Sequence, residues 1–353
     1  VLIVCFMLTD EQAKFLHDEL MSAQNPLFIH DDDADGLCSY LLLFRKCGKG
    51  RGFILKTAPK LDMRLAAKII ELNPDKIFVL DVPIVEQEFL DAVMRPVFWI
   101  DHHQPLQREH VYYYNPRLTD VNAYVPTSRM AYQVTGGIEG NLKDLWIAMA
   151  GCLADWYMPD FAEEFAVRYT SYLAEKKDLT DALYHNQVGL LVKMFFFLLK
   201  GKSQDVHKSL KVLTRIENPD EIFKQESAQG KFLWKRFEDI NKRYESLLKE
   251  AKKHVTKSKL LLFYYTEQQW SFTANLANEL TATYPDKVVI IARNKSGEYK
   301  SSLRAQFPIL PAIEKALVGV SGYGGGHQNA CGAVIKEEDW ERFLENFKRE
   351  LKE

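Results

Sequence analysis

Apolar positions recur at two periods along this chain, and the alternation between them outlines its elements. Leu16 and Leu20 stand four apart behind Thr9-Asp-Glu-Gln12, a capping-box sequence, which predicts an amphipathic helix ahead of a first strand at Leu27-Phe28-Ile29. Leu37 to Phe44 reads as a buried helix, Gly52 to Leu55 as a short strand, and Arg64 to Leu72 as a helix ended by Asn73-Pro74. Two compact apolar runs follow, Lys76 to Leu80 and Pro96 to Ile100. Strands alternating with helices predict an α/β fold with a parallel sheet, in which ligands gather beyond the carboxyl ends of the strands.

From about 141 to about 259 the pattern is mostly helical, and Phe237, Ile240, Tyr244, Leu247, Leu248 and Ala251 form one apolar stripe. The last part of this region carries more basic than acidic side chains, which reads first as a solvated helix face. A second α/β unit begins near Leu260 with the run LLLFYY. It continues through a helix from about Phe272 to Tyr284, a strand at Lys287 to Ala292 and a turn at Lys295-Ser-Gly-Glu298. Ser301 to Arg304 and the glycine-rich Gly322 to Gly332 complete it, and no internal repeat is present.

Composition narrows the class. A length of 353 residues, 47% apolar and 27% charged, describes a soluble globular chain able to bury two cores. The formal net charge of −2 is no global nucleic-acid signature, so a polyanion would have to be met by a local basic face or by metal. Cysteines at 5, 38, 47, 152 and 331 form no Cys-x-x-Cys pair, which argues against a zinc ribbon or disulfide framework and for reduced thiols in a cytoplasmic protein. The opening VLIVCFML is too short to span a membrane and lacks a signal-peptide pattern; it reads as a first strand or as tag residues ahead of Met7, and no membrane association is expected.

Charge then changes the picture at one place. The stretch FIHDDDADGLCS, residues 28–39, puts a histidine and four aspartates where a strand hands over to a helix. An Asp-Gly turn of this kind is ordinarily a solvated cap. Asp31, Asp33 and Asp35, however, recur at every second position, so in an extended segment their carboxylates face the same way. Two like charges 4 Å apart cost about 4 kcal/mol at an effective dielectric of about 20, more than the ~1 kcal/mol that a helix N-terminus returns. A divalent cation between them removes the repulsion, and oxygen-rich donors suit Mg²⁺ or Mn²⁺. The two later apolar runs also end in aspartates, Asp81 and Asp101, and the second continues as Asp101-His102-His103. Three strands thereby deliver carboxylates to one sheet edge.

Taken in order, Asp33 and Asp35, Asp81, Asp101-His102-His103 and Gly322-Tyr-Gly-Gly-Gly-His-Gln-Asn-Ala-Cys-Gly332 resemble the DHH phosphoesterase superfamily. The likeness is to its RecJ-like single-strand nuclease and nanoRNase branch, which has a C-terminal DHH-associated domain. Asn115-Pro116, Pro126-Thr-Ser and the stretch Ala150 to Pro159 around Asp155, which looks like the family's fourth motif, extend the resemblance over almost the whole chain. It implies a parallel-sheet DHH domain with the metal site over 1–190, a helical connector over 191–257 and a smaller α/β substrate-binding domain over 258–353.

The resemblance also implies two divalent ions, usually Mn²⁺ with Mg²⁺ as the alternative, bridged by Asp81. One is further held by Asp33, the other by Asp35, His102 and Asp155. Many relatives begin the first motif with a histidine, whereas Asp31 stands two before Asp33 here and His30 one further back. Parity favours Asp31 as a ligand, which leaves His30 beside the ligands or at the substrate. Asp101 is expected to orient a histidine rather than bind metal, and His103 to face the scissile phosphate. Arg304 in SSLRA matches the family's substrate-binding arginine and suits bidentate phosphate contact. Gly324, Gly325 and Gly326 would bring backbone N–H groups to an anion in a glycine-rich turn, with His327 a further donor and Tyr323 either stacked on a base or packed.

The implied activity is two-metal hydrolysis of single-stranded DNA or RNA, or of short oligonucleotides, from an end. A small-nucleotide phosphoesterase of the same superfamily is the nearest alternative: a nanoRNase, a cyclic-dinucleotide phosphodiesterase or a phosphoadenosine phosphate phosphatase. A non-catalytic replication or repair factor derived from such a nuclease is the third, and the intact carboxylates argue against it. A replication or repair protein is the expected kind of partner, and the sequence leaves the oligomeric state open.

Overall fold

The structure is a computed structural model that describes residues 7–56, 60–174, 178–266 and 269–351. The two readings of the opening residues and the thiol of Cys5 lie outside those ranges. The chain falls into two compact units, 1–199 with 204–234 and 200–203 with 235–353, and the 25-residue helix Ala228–Lys252 carries the chain from the first into the second. The predicted stripe on that helix is buried from Phe237 to Ala251. Among the described residues no helix is long and apolar enough to cross a membrane.

The first unit is built on the expected parallel sheet. Strands β1 (Leu27–Asp31), β2 (Arg51–Leu55), β4 (Ile77–Leu80), β6 (Val97–Ile100) and β7 (Tyr112–Tyr114) run in the order β2-β1-β4-β6-β7, every pair parallel. Two short strands, β3 (Lys60–Leu61) and β5 (Ile84–Val85), pair separately. The helices α1 (Asp10–Ser22), α2 (Ala34–Cys47), α3 (Met63–Glu71), α4 (Gln87–Val93) and α5 (Thr127–Val134) belong to this unit. The capping box at Thr9 forms as its sequence predicts, with Gln12 closing it reciprocally.

The pleat divides the inner strands between two apolar layers. Leu27, Ile29, Ile77, Val79, Val97 and Trp99 pack with Ile69 and Phe89 on one face, while Phe28, Phe78 and Phe98 stack in a row on the other. A sheet buried on both sides reads as continuous apolar runs in sequence, which is why β4 and β6 stand out.

One expectation fails here. The helix read as Leu37 to Phe44 begins at Ala34 with Asp33 as its N-cap, the carboxylate accepting the Gly36 N–H at 2.9 Å. Asp31 ends the strand and Asp35 lies in the first helical turn, so the three carboxylates do not share one extended segment. They converge through the strand-to-helix bend instead. Gly36 permits that bend, because a Cβ there would lie 2.9 Å from the backbone nitrogen of Asp31.

The second unit carries a mixed sheet. Strands β8 (Leu260–Thr266), β9 (Val288–Lys295), β10 (Glu298–Arg304), β11 (Gly322–Gly326) and β12 (Ala330–Lys336) run in the order β11-β12-β10-β9-β8, with only β8 and β9 parallel. Its core gathers Val288, Ile290, Leu303 and Ile335 beneath Trp340, Phe343 and Phe347 of the last helix, Trp340–Leu351. The glycine-rich stretch read as a turn is the edge strand β11. A Cβ at Gly324 would come within 2.8 Å of the Gly332 carbonyl, so the close pairing with β12 explains the residue type.

Candidate metal centre

Each carboxylate is delivered by a different part of the first unit. Asp31 is the last residue of β1, Asp81 follows β4, Asp101 follows β6, and Asp155 is the C-cap of the buried helix Leu145–Ala154. In the parallel register Leu80 stands beside both His30 and Ile100, which brings the three strand ends level. Asp81 holds a left-handed backbone with φ of 60°, uncommon for a residue other than glycine and the kind of strain that persists at functional sites.

The side chains meet. His102 Nε2 lies 3.2 Å from Asp81 Oδ1, and its Nδ1 lies 3.4 Å from Asp155 Oδ2. Donor atoms of Asp81, His102 and His103 fall within 4.8 Å of one another, as do those of Asp35, His102 and Asp155, so His102 is common to both groups. Asp33 hydrogen-bonds the Asp81 side chain, and the charge of Asp31 acts on that of Asp33.

Supporting contacts hold this arrangement. Asp35 accepts the Thr127 N–H at 2.8 Å and the Ser128 N–H at 3.0 Å, so each of its oxygens faces the N-terminus of α5. Tyr124 donates to the Asp155 carboxylate at 2.8 Å. Asp101 lies 2.8 Å from His103 Nδ1 and accepts the His103 N–H at 3.1 Å. Asn115 donates to Asp101 Oδ2 at 3.3 Å and to the His103 carbonyl at 2.9 Å, and Tyr113 leans on the same carboxylate. Sequence reasoning did not assign Tyr113 or Tyr124 a role, because nothing local marks either. Asn115-Pro116 and Pro126-Thr-Ser did stand out, and these contacts show what they do.

His30 goes elsewhere. Its ring stacks on Tyr40 at 5.1 Å, its Nδ1 lies 2.8 Å from the Asp31 carbonyl, and it joins neither donor group. Burial holds its pKa down at about 4.

In the second unit, Arg304 ends β10 with Nε on Asn278 at 2.7 Å and Nη1 on the carbonyls of Leu303 and Cys331 at 3.0 Å each. Its register partner Ala330 closes the β11–β12 turn with His327, whose N–H donates to the Ala330 carbonyl at 2.9 Å. The arginine, His327 and Gly326 therefore lie toward one end of that sheet, with Gly325 and Gly324 following inward along β11. Tyr323 is exposed, so of its two readings the packed one falls.

The electrostatics are those of too many carboxylates in too little water. Burial pushes Asp33, Asp35 and Asp81 up, Asp35 and Asp81 well above the usual carboxylate range, and mutual repulsion, chiefly from Asp155 on Asp33 and Asp35 and from Asp33 on Asp81, adds to it. Asp31 is pushed up to about 7 by burial and then by Asp33. Burial also lowers His102; it opposes protonation of His103 too, but the Asp101 hydrogen bond and charge prevail and raise that pKa.

No lysine or arginine pairs with Asp33, Asp35, Asp81 or Asp155 among the described residues, and His102 Nδ1 is buried with no hydrogen-bond partner. A donor set of carboxylate oxygens with an imidazole nitrogen fits a hard to borderline divalent cation.

Asp31, Asp33, Asp35 and Asp81 are raised and outnumber His30 and His102, which are lowered and act in the opposite sense, so the folded chain binds more protons than the unfolded one between about 4 and about 7 and metal-free stability falls as pH rises through that window. The slope is about 1.4 kcal/mol per pH unit for each carboxyl titrating. Thermal melts in chelator should show Tm decreasing from pH 4.5 to 7, with saturating Mn²⁺ flattening or reversing the trend. A metal-free Tm that climbs across this range would refute the crowding.

Comparison with known proteins finds two matched domains and several similar folds. The DHH family, N-terminal domain is matched over residues 27–154 and the DHHA1 domain over residues 261–353. The fold is similar to that of RecJ in complex with Mn²⁺ from Thermus thermophilus, with a TM-score of 0.66 at 16% identity over 99% of this chain and 55% of that one. It is similar to exonuclease RecJ bound to manganese, with a TM-score of 0.61 at 16% identity over 97% of this chain and 94% of that one. A third likeness is to the pGpG-specific phosphodiesterase PggH from Vibrio cholerae, with a TM-score of 0.52 at 15% identity over 93% of this chain and 99% of that one. The chain thus spans about half the length of the Thermus RecJ. At these identities the likeness establishes the fold. Comparison with curated protein sequences gives no match.

Proposed function

Because this chain belongs to the DHH superfamily, with its N-terminal domain and a DHHA1 domain both present, we propose that it is a metal-dependent phosphodiesterase acting on single-stranded nucleic acid or short oligonucleotides from an end. The observation that carries the reading is the convergence of Asp33, Asp35, Asp81 and Asp155 on His102 with no lysine or arginine paired to them among the described residues. Asp33, Asp35, Asp81, His102 and Asp155, with Asp31 at the margin, would hold two divalent ions, Mn²⁺ or Mg²⁺, with Asp81 shared. Bound there, such ions supply Lewis acidity and a nucleophile at neutral pH.

The chain's own residues do the rest. Asp101 fixes the His103 ring and favours its charged form, so His103 offers a proton donor and a positive charge to an anionic phosphodiester. Tyr124 and the α5 N-terminus hold Asp155 and Asp35 in place, as hydrogen bonds around metal ligands commonly do. In the second unit, Arg304 would grip a phosphate with its plane already set by Asn278. His327 and the N–H groups of Gly324 to Gly326 would add donors to the same anion.

A 20-nucleotide single strand labelled at either end, incubated with Mn²⁺, should shorten stepwise from one end. No cleavage of any phosphodiester under these conditions would remove the proposal. Cleavage confined to dinucleotides would favour the small-nucleotide reading.

Arg304 supplies a further expected outcome. Losing one charge-assisted contact worth about 1.5–3 kcal/mol should lower kcat/KM on an oligonucleotide by roughly 10- to 150-fold in Arg304→Ala, with Mn²⁺ binding intact. Bis-p-nitrophenyl phosphate, which has no neighbouring nucleotides, should be affected far less. Equal losses on both substrates would mean that Arg304 acts only by tying β10 to β12.

A further inference from the structure

The opposite end of α2 from the carboxylates carries charge of the other sign. With 14 residues at about 1.5 Å each, Asp33 and Gly48 stand about 20 Å apart along the helix. There a cavity of about 360 Å³ is lined by Phe44, Arg45 and Gly48 of this helix end, by Lys143, and by Lys211, Thr214, Arg215 and Glu217. Four cations thus face one acid on a chain whose formal net charge is −2.

Arg45 forms the floor. Its guanidinium donates to Asp144 at 2.8 Å and to the carbonyls of Thr214 and Ile216 at 3.2 and 2.6 Å, and its side chain is only 5% exposed. It is neutralised and held by these partners. Lys143, Lys211 and Arg215 are exposed, and among the described residues none of them has an ion-pair partner.

Compensation of helix ends explains part of this cluster. Arg45 lies in the last turn of α2 and Lys211 in the last turn of Ser203–Leu213, where a cation gains about 0.3–1 kcal/mol. It explains neither Lys143, in a short 3₁₀ turn ahead of Asp144, nor Arg215, which lies beyond its helix. Two cations beyond that need, around a concave wall whose floor is fixed by the Arg45–Asp144 pair, make a site for an anion.

The geometry points to a second phosphate-binding site in this cavity, formed by Lys143, Lys211 and Arg215 over Arg45 and separate from the metal centre. Its ligand is a phosphate group, either of a single strand's backbone or of a free phosphorylated small molecule. The strand source rests on the proposed nuclease function; the free-anion source does not.

The test compares the wild type with Lys143→Glu/Lys211→Glu/Arg215→Glu, and with the control Lys235→Glu/Lys249→Glu/Lys252→Glu, which makes the same charge change on exposed positions of Ala228–Lys252. A neutral Gln version of the cavity variant covers failure of the first to fold. In one arm, a fluorescein-labelled 20-nucleotide dT strand is bound in chelator and followed by anisotropy across 50–200 mM salt. In the other, sodium tripolyphosphate is titrated in chelator and followed by thermal shift.

If the cavity holds strand phosphates, the cavity variant binds the strand at least about 10-fold more weakly at 50 mM salt, and its salt slope shrinks by about 2, at roughly 0.7 per phosphate contact. The control retains most of both. If the cavity holds a free anion, tripolyphosphate stabilises the wild type and the control but not the cavity variant, and strand binding is unchanged. Mn²⁺-supported hydrolysis of bis-p-nitrophenyl phosphate stays at the wild-type rate in either case, and its absence in the wild type would count against the proposed function alone. No difference between cavity variant and wild type in either arm, or equal losses in cavity variant and control, overturns the site.

Discussion

Asp81→Ala should abolish hydrolysis with little harm to the metal-free fold. Asp81 stands at the end of a central strand, fully buried, 3.2 Å from His102 and under repulsion from Asp33 and Asp35. If it is shared between two ions, its removal weakens both at once. A loss of several kcal/mol of charge stabilisation corresponds to about 10³-fold or more in rate. The metal-free variant loses a repelling carboxylate, and that relief works against the smaller cost of holding alanine at the φ of 60° that aspartate tolerates better. Its melt in chelator should match or exceed that of the wild type. Activity within tenfold of wild type, measured with saturating Mn²⁺, would show that the centre does not work through Asp81.

The second large effect separates two aspartates that look alike in sequence. Asp33→Asn should cost activity on a similar scale, since an amide neutralises no cation, yet Asn caps a helix as well as Asp does and retains the bond to the Gly36 N–H. Asp35→Asn should lose activity and stability together. Both Asp35 oxygens accept backbone N–H groups, from Thr127 and Ser128, so an amide must turn its own donor against one of them. An unsatisfied buried donor costs about 1–3 kcal/mol, which relief of repulsion offsets only in part. Melts in chelator should therefore place Asp33→Asn at or above the wild type and Asp35→Asn below it. The reverse order would mean that the cap, rather than the α5 contact, is the structural role.

That contrast marks how far the sequence could be read. The strands ending in Asp81 and Asp101 were legible because a sheet buried on both faces writes itself as an apolar run with an abrupt polar end. The convergence of carboxylates was legible from their number. Its geometry was not: helix α2 starts at Ala34 with Asp33 as its cap, and the Asp35 carboxylate in its first turn is taken up by α5, some 92 residues on, a partner that alternation along the chain cannot register. Tyr124 on Asp155 was invisible for the same reason. The glycines of β11 looked like a turn because their close pairing with β12 leaves no pattern of side chains to read.

Metal stoichiometry tests the carboxylate centre most directly. Equilibrium dialysis of the purified chain against Mn²⁺, with bound metal counted by elemental analysis, should find two ions per chain in the wild type and a clear loss of retained metal in Asp81→Ala. A wild type that retains no Mn²⁺, or a variant that retains as much as the wild type, would contradict it.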